Sequence, residues 1–237
     1  MQPLVRWTIG KTSKDGYECL IESINSFLKY YQADVFICYN CELGQLPQQL
    51  KKFNLVEQQK NINGMPEAAG VAWKLYPPRL DIKRHEISID NDIILNERIE
   101  QIDEFFKKNN FTLLLEDLGR TYGRFENHVP PKFCINSGVY GMPPNFDFEK
   151  YIKFYVGEKW EKNALYEHDK NETFDEQGLV ALALLDNKNY IIIPKESITN
   201  CEYTLCEGKG YHFIGLNRTK NHEAFNIFKN KKRKIHL

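Results

Sequence analysis

Two periods of apolar spacing run through this chain and predict strands alternating with helices. Leu4 to Ile9 reads as a short strand ending at Gly10, and Tyr17 to Tyr31 carries Leu20, Ile21, Ile24, Phe27 and Leu28 on one helical stripe. Ala33 to Tyr39 is almost wholly apolar, β-branched or aromatic, as a strand covered on both faces would be. Leu46 to Phe53 reads as a short helix and Asn54 to Val56 as a strand. Val71 to Leu80 starts helical and is limited by Tyr76-Pro77-Pro78. Ile87 and Ile89 alternate with polar residues in a strand that ends at Asp90, with an apolar run Ile93-Ile94-Leu95 after it. Asn96 to Asn109 makes an amphipathic helix on Ile99, Ile102, Phe105 and Phe106. Phe111 to Leu115 is a strand, and Cys134 to Met142 is another that begins through a small-residue turn. Asp147 to Tyr155 and Phe174 to Leu185 are helical, and Tyr190 to Pro194 closes the series as a strand. With no linker or repeat between them, these elements predict one α/β/α sandwich over residues 1–228. Its sheet is central and mixed, with helices on both faces, and a basic tail follows over 229–237.

Composition narrows the class. In 237 residues the apolar share is 42% and the aromatic share 13%, enough for a packed core. Thirty-two basic residues offset thirty-two acidic ones, so no global field favours nucleic acid or a membrane. Lys229 to Lys234 is the local exception, expected as a solvated tail with at most a weak contact to an anionic membrane surface. The amino terminus has no basic flank leading into an apolar core, and no run is long enough to span a bilayer. Six scattered cysteines fit a reducing compartment, so a cytoplasmic protein is expected. Cys38 and Cys41 have redox or zinc spacing but no matching second pair, and they read as structural. Neither a Gly-x-Gly-x-x-Gly fingerprint nor a phosphate loop ending in Gly-Lys-Ser/Thr is present, against dinucleotide oxidoreductases and P-loop enzymes.

Candidate chemistry centres on Asp90-Asn91-Asp92. Two carboxylates one residue apart at the carboxyl end of a strand sit where open α/β sheets bind ligands. They can share a divalent cation that keeps sites for substrate phosphates. A charged turn is the plainer explanation of the same three residues.

Other segments raise the metal reading. Lys74-Leu75 lies sixteen residues before Asp90, and Asn136-Ser137-Gly138-Val139 forms a later strand. Asp175-Glu176-Gln177 opens a helix, and His212-Phe213-Ile214-Gly215-Leu216-Asn217-Arg218 follows the last strand. In this order the four segments resemble GT-A-fold glycosyltransferases, specifically the glycogenin-like family 8, with its Lys-Leu, Asp-x-Asp, Asn-Ala/Ser-Gly-Val, Asp-Gln and His-Phe-x-Gly-x-x-Lys elements. Arg218 stands where that family has Lys, and Thr219-Lys220 where it commonly has Pro-Trp.

The resemblance implies a GT-A-like fold and a retaining transfer of a sugar from a nucleotide sugar, expected as a UDP-sugar. The metal, Mn2+ or Mg2+, would be held by Asp90, Asp92 and His212; imidazole beside carboxylates suits manganese. Donor contacts fall to Thr8, Gly10, Lys74, Asn91, Asn136, Ser137, Gly215 and Arg218, the last able to fork onto phosphate. Asp175 and Gln177 take the catalytic positions, against sugar hydroxyls. Plainer roles exist for several: Lys74 as a surface lysine, Asn136 to Gly138 as a β-bulge, Asp175 as a helix cap. Glu116-Asp117 faces an acceptor or ends a solvated strand. Leu118 to Phe125 reads as a mobile loop over the site, in which Arg120 and Arg124 either meet phosphate or are surface charges. The acceptor class (glycan, lipid-linked saccharide, protein or small molecule) is open. Two other functions remain: a sugar-phosphate nucleotidyltransferase, for which Gly10-Lys11-Thr12-Ser13-Lys14 is a poor phosphate loop, and a non-catalytic nucleotide-sugar or carbohydrate binder.

Overall fold

Strand β1 (Leu4–Ile9) sends Val5, Trp7 and Ile9 to one side of a sheet and Arg6 and Thr8 to the other. That alternation sets the layering of the molecule, which a computed structural model describes over residues 1–58, 72–156, 175–215 and 219–235. The first side is covered by α1 (Lys14–Tyr30). Ser13 caps it by accepting from the Gly16 N–H, Asp15 lies in its first turn and Lys29 in its last, and Leu20, Ile24 and Phe27 form its buried stripe. Trp7 meets Phe27 edge-on and donates its indole N–H to Ser23 Oγ at 2.9 Å, so the largest core side chain is also satisfied.

The chain continues through β2 (Asp34–Tyr39), β3 (Asn54–Glu57), β4 (Glu86–Ile89), β5 (Ile93–Leu95), α2 (Glu100–Lys107), β6 (Thr112–Glu116), β7 (Ile135–Met142), α3 (Phe148–Val156), α4 (Asp175–Asp186), β8 (Tyr190–Ile193), β9 (Ile198–Asn200), β10 (Gly210–His212) and α5 (Thr219–Ile235). Seven strands make the main sheet in the order β3-β2-β1-β4-β7-β6-β8. β7 runs antiparallel to both neighbours, and the other pairings are parallel. Leu113 and Leu115 join the core under α1 and α2, whereas Leu114, Tyr140 and Met142 join the core under α3 and α4. Helices therefore lie on both faces of a central mixed sheet, as the apolar pattern predicts.

Two boundaries shift for identifiable reasons. The segment expected as a helix over Leu46 to Phe53 makes only 3-10 turns at Leu43–Gln45 and Gln48–Leu50, because Pro47 stands between them. The helix expected from Asn96 begins only at Glu100. Asn96 and Glu97 instead donate their N–H groups to Lys209 O, and the Ile99 N–H goes to Tyr31 Oη.

A second sheet, β5-β10-β9, was not foreseen from the strand pattern. β10 pairs antiparallel with β5 and parallel with β9, which puts His212 beside Ile93 on one side and Asn200 on the other. The basic run expected as a solvated tail is a correction: it continues α5 through Ile235 and packs against α1. Lys229 lies 2.6 Å from Asp15 and 3.4 Å from Glu18, Lys232 pairs with Glu22, and His222 pairs with Asp15 at 2.8 Å. Beneath these pairs Phe225, Ala224, Phe213, Ile94 and Cys19 form a separate apolar cluster. Lys229 and Lys232 belong to the polar edge of an amphipathic helix. No helix among the described residues is long and apolar enough to cross a membrane.

Candidate metal centre and donor site

The carboxyl ends of β1, β4 and β6 and the start of β7 converge on one edge of the main sheet, because β7 alone runs the opposite way. Leaving β4, the Asp90 N–H donates to Gly138 O at 2.7 Å. The Ile93 N–H then closes a tight turn on Asp90 O at 3.2 Å, with Asn91 half-exposed inside it. The turn leads straight into β5, and the Phe213 N–H donates to Asp92 O at 2.9 Å. Backbone bonds on both sides thus hold the Asp-x-Asp, as a loose charged turn would not be held.

His212, buried in β10, brings its Nε2 to 3.4 Å from Asp92 Oδ1. Ligand atoms of Asp90, Asp92 and His212 lie within 4.8 Å of one another. Two bonds of about 2.4 Å to one cation would reach across that separation. Asp92 Oδ2 accepts from the Gly215 N–H at 3.2 Å, and Gly215 has φ 64°, a conformation for which glycine is suited. Asp92 Oδ1 is buried and has no hydrogen-bond partner among the described residues. His212 Nε2 stands 3.4 Å away without making a hydrogen bond, so a cation bound here would offset the cost of burying that oxygen. Two carboxylates and an imidazole therefore fit a divalent metal ion.

Asp92 and His212 shift each other's ionisation. Burial works against ionisation of Asp92, but its contact with His212 outweighs burial and holds the carboxyl below its ordinary value of 3.8. For His212 burial disfavours the imidazolium, and the carboxylates of Asp92, Asp90 and Asp117 override it and raise the pKa above 6.5.

Lys74 is not a surface lysine. It sits in a 3-10 turn at Ala72–Leu75, where a longer helix was expected. Its side chain is 8% exposed, with Nζ 3.2 Å from Asp90 Oδ1 and 3.3 Å from Ser137 Oγ. Burial disfavours its ammonium, but Asp90 and Glu176 more than compensate and raise its pKa. Glu176, the buried middle residue of Asp175-Glu176-Gln177, is a participant that sequence reasoning passed over for its neighbours.

Asn136 to Gly138 forms a bulge. β6 pairs Leu114 with Tyr140 and Leu115 with Asn136, so Ser137 to Val139 are left out of that ladder. Asn136 Oδ1 accepts from the Gly138 N–H at 2.6 Å, and its Nδ2 donates to Asp117 at 3.0 Å. A Cβ on Gly138 would lie 2.7 Å from Asn136 Oδ1 and 3.0 Å from His212, so glycine lets the histidine approach. Gln177 accepts from the Ser137 N–H at 3.2 Å and donates to Thr121 O and Oγ1, tying α4 to the bulge. Asp175 opens α4, and its side chain lies outside the described residues, as does all of Arg218.

Thr8 sits near the end of β1, beside β4, with a buried hydroxyl that makes no hydrogen bond among the described residues, and Gly10 follows at the same edge. Arg120, a candidate phosphate contact, is spent on its own loop: it pairs with Glu126 and donates to the carbonyls of Glu126, Val129, Pro130 and Phe133. Tyr122 and Phe125 are buried there, so the segment expected as a loop over the site is packed. Behind the site, and unforeseen, Arg6 and Glu86 are fully buried at 3.4 Å, and Arg79 reaches the same carboxylate at 3.2 Å. Arg6 also donates to Pro77 O at 2.6 Å, which holds the segment after Lys74 against β1 and β4.

No family of known proteins matches this sequence, nor does any curated protein. Among solved structures it is similar to the apo form of mouse xyloside xylosyltransferase 1, at a TM-score of 0.55 and 10% identity, covering 90% of this chain and 97% of that one. It is also similar to the apo structure of the bifunctional glycosyltransferase WbbM, at 0.52 and 10%, covering 90% of this chain and 46% of that one. The chain thus has a GT-A-like mixed α/β fold of the kind found in glycosyltransferases, with an Asp-Asp-His cluster able to hold a metal ion.

Proposed function

We propose that this protein is a metal-dependent glycosyltransferase of the glycogenin-like family 8 kind. It would move a sugar from a nucleotide sugar, a UDP-sugar, to an acceptor with retention of configuration, in the cytoplasm. The observation that carries this reading is the convergence of Asp90, Asp92 and His212 at the ligand-binding edge of a GT-A-like sheet, with Asp92 Oδ1 buried beside His212. Those three residues would hold Mn2+ or Mg2+, which when bound supplies Lewis-acid stabilisation of a diphosphate leaving group.

The remaining residues act through their own contacts. Lys74, held charged between Asp90 and Glu176, presents a second cation to the diphosphate or donor sugar. Ser137 and Asn136 face the donor from the bulge, and Gln177 positions Ser137 through its backbone N–H. Thr8 and Gly10 line the strand end next to Asp90, where the nucleoside would lie, with Asn91 in the turn beside it. Gly215 orients Asp92, Arg218 belongs with the diphosphate, and Asp175 with donor hydroxyls.

A thermal-shift and calorimetric panel of UDP, UDP-sugars and UTP, each with and without Mn2+, tests the reading. Metal-dependent stabilisation by UDP and slow UDP-sugar turnover are expected. Product formed only from UTP and a sugar 1-phosphate would establish nucleotidyl transfer instead. Tight UDP-sugar binding without turnover would establish a binding protein.

A further inference from the structure

Next to the metal cluster lies a cavity of about 250 Å3 between the end of β6, the start of β7 and the β8–β9 connection. It shares two walls with the donor site. Asn136 lines it and binds Asp117 on the cavity side while its other side-chain atom holds the bulge. Asn200, on the opposite wall, is the register partner of His212. A molecule in this cavity therefore lies one residue away from the proposed metal ligands.

Its lining decides what fits. Glu116, Asp117 and Glu196 contribute carboxylates, Lys195 is the single cation among the described lining residues, and Asn136 and Asn200 add amides. The surplus of negative charge repels phosphate and carboxylate groups. Carboxylate and amide pairs are suited to vicinal hydroxyls, which donate and accept at once. Leu118 on the rim is 71% exposed and offers an apolar surface to the less polar face of a sugar ring. The cavity is partly apolar and bounded by polar groups, as ligand sites are.

We propose that this cavity is the acceptor site and that it takes an uncharged sugar residue, in preference to a phosphorylated or acidic one. The assignment rests on the donor-site reading above. Neither Glu116 nor Asp117 is asked to change charge: they orient the acceptor hydroxyl toward the donor.

The test uses saturation-transfer NMR on the full chain with UDP and Mn2+ present. Probes are methyl glycosides of neutral hexoses and pentoses, set against hexose 6-phosphates and hexuronic acids. Neutral glycosides should show transfer that weakens about tenfold, the worth of one or two hydrogen bonds, in Asp117→Asn. It should be lost in Glu196→Trp, an exposed position whose indole would fill the cavity. UDP with Mn2+ should bind Glu196→Trp as it binds the parent. Stronger signals from phosphates or uronates would overturn the proposal. So would glycoside signals that survive Glu196→Trp, or no glycoside signal from a parent that binds UDP normally. A parent that fails to bind UDP with Mn2+ would overturn the donor reading and this assignment with it.

Discussion

Lys74 holds its ammonium 3.2 Å from Asp90, on the same carboxylate that faces the candidate metal position. The lysine neutralises part of the charge that would attract a cation, and it also offers charge to a phosphate. Lys74→Met should therefore have effects of opposite sign. Mn2+ alone should bind about tenfold tighter, since one unit of nearby positive charge is gone, whereas UDP-sugar turnover should fall. Calorimetry with Mn2+ and a coupled UDP-release assay separate the two. Weaker Mn2+ binding in the variant would show that Lys74 only shapes the turn.

Asp90→Asn combined with Asp92→Asn should abolish metal-dependent UDP binding while leaving the fold in place. The backbone bonds of the turn to Gly138, Phe213 and Ile93 do not involve the carboxylates. Far-ultraviolet circular dichroism should match the parent, and the UDP-induced rise in Tm with Mn2+ should vanish. Retained UDP affinity would remove the metal from the mechanism.

The metal-free pair of Asp92 and His212 gives a signed pH dependence. His212, with its pKa raised, stabilises the fold fully below about 6.5, and that contribution is lost as pH climbs through the raised value. Asp92, with its pKa lowered, contributes above about 3.8, and that contribution is lost as pH falls through the lowered value. Between the two limits apo stability should be greatest. Mn2+ affinity should rise with pH over the imidazole range, because a ligand nitrogen must be unprotonated. Denaturant midpoints measured from about pH 2 to 9 in metal-free buffer, and Mn2+ titrations over the upper half of that range, check both limbs. A flat apo profile, with Mn2+ affinity independent of pH, would separate His212 from the site.

Breaking the buried ion triad should cost more than any surface pair. Glu86→Gln leaves Arg6, fully buried, and Arg79, nearly so, without their carboxylate, a loss of about 3–5 kcal/mol by the usual penalty for an unpaired buried charge. Reversing the surface pair with Lys108→Glu beside Glu104 should change stability by about 1 kcal/mol or less. Urea midpoints of the two variants give the comparison, and equal losses would mean that water reaches the triad.

Glycine contacts supply a packing test inside α4. A Cβ at Gly178 would lie 2.5 Å from the carbonyl oxygen of Tyr122, backbone that cannot rotate away. Gly178→Ala should cost about 1–3 kcal/mol through forced backbone shifts. Gly44→Ala, with nothing within 4 Å, should stay within about 0.5 kcal/mol. Thermal unfolding of both reads the difference.

The main strands and helices were legible because each buries one periodic face: Val5, Trp7 and Ile9 against α1, Leu113 and Leu115 against α2. The three residues of β10 show where legibility ends. Gly-Tyr-His has no period of its own, and it is a strand only because Ile93 to Leu95 and Ile198 to Asn200 flank it. The basic run at Lys229 failed similarly, since its partners Asp15, Glu18 and Glu22 lie more than two hundred positions earlier. At the site, spacing pointed to Asp90, Asp92, Lys74 and His212, which the fold does bring together. The same spacing carried no sign that Gln177 would turn its amide to Ser137 and Thr121, or that Glu176 would face Lys74. Such orientation depends on which side of a helix meets the sheet.

Asp92 and His212 are separated by well over a hundred residues, and α5 is cemented to α1 across nearly the whole chain. Such pairings are among the last to form when a protein emerges from the ribosome. The strands β1 to β4 can assemble while the rest is still being made, but they then display bare aspartates and no imidazole. The Asp-Asp-His cluster is therefore complete only once His212 has been made. A chain ended before β10 would carry Asp90 and Asp92 at the edge of the sheet without the imidazole that completes their cluster.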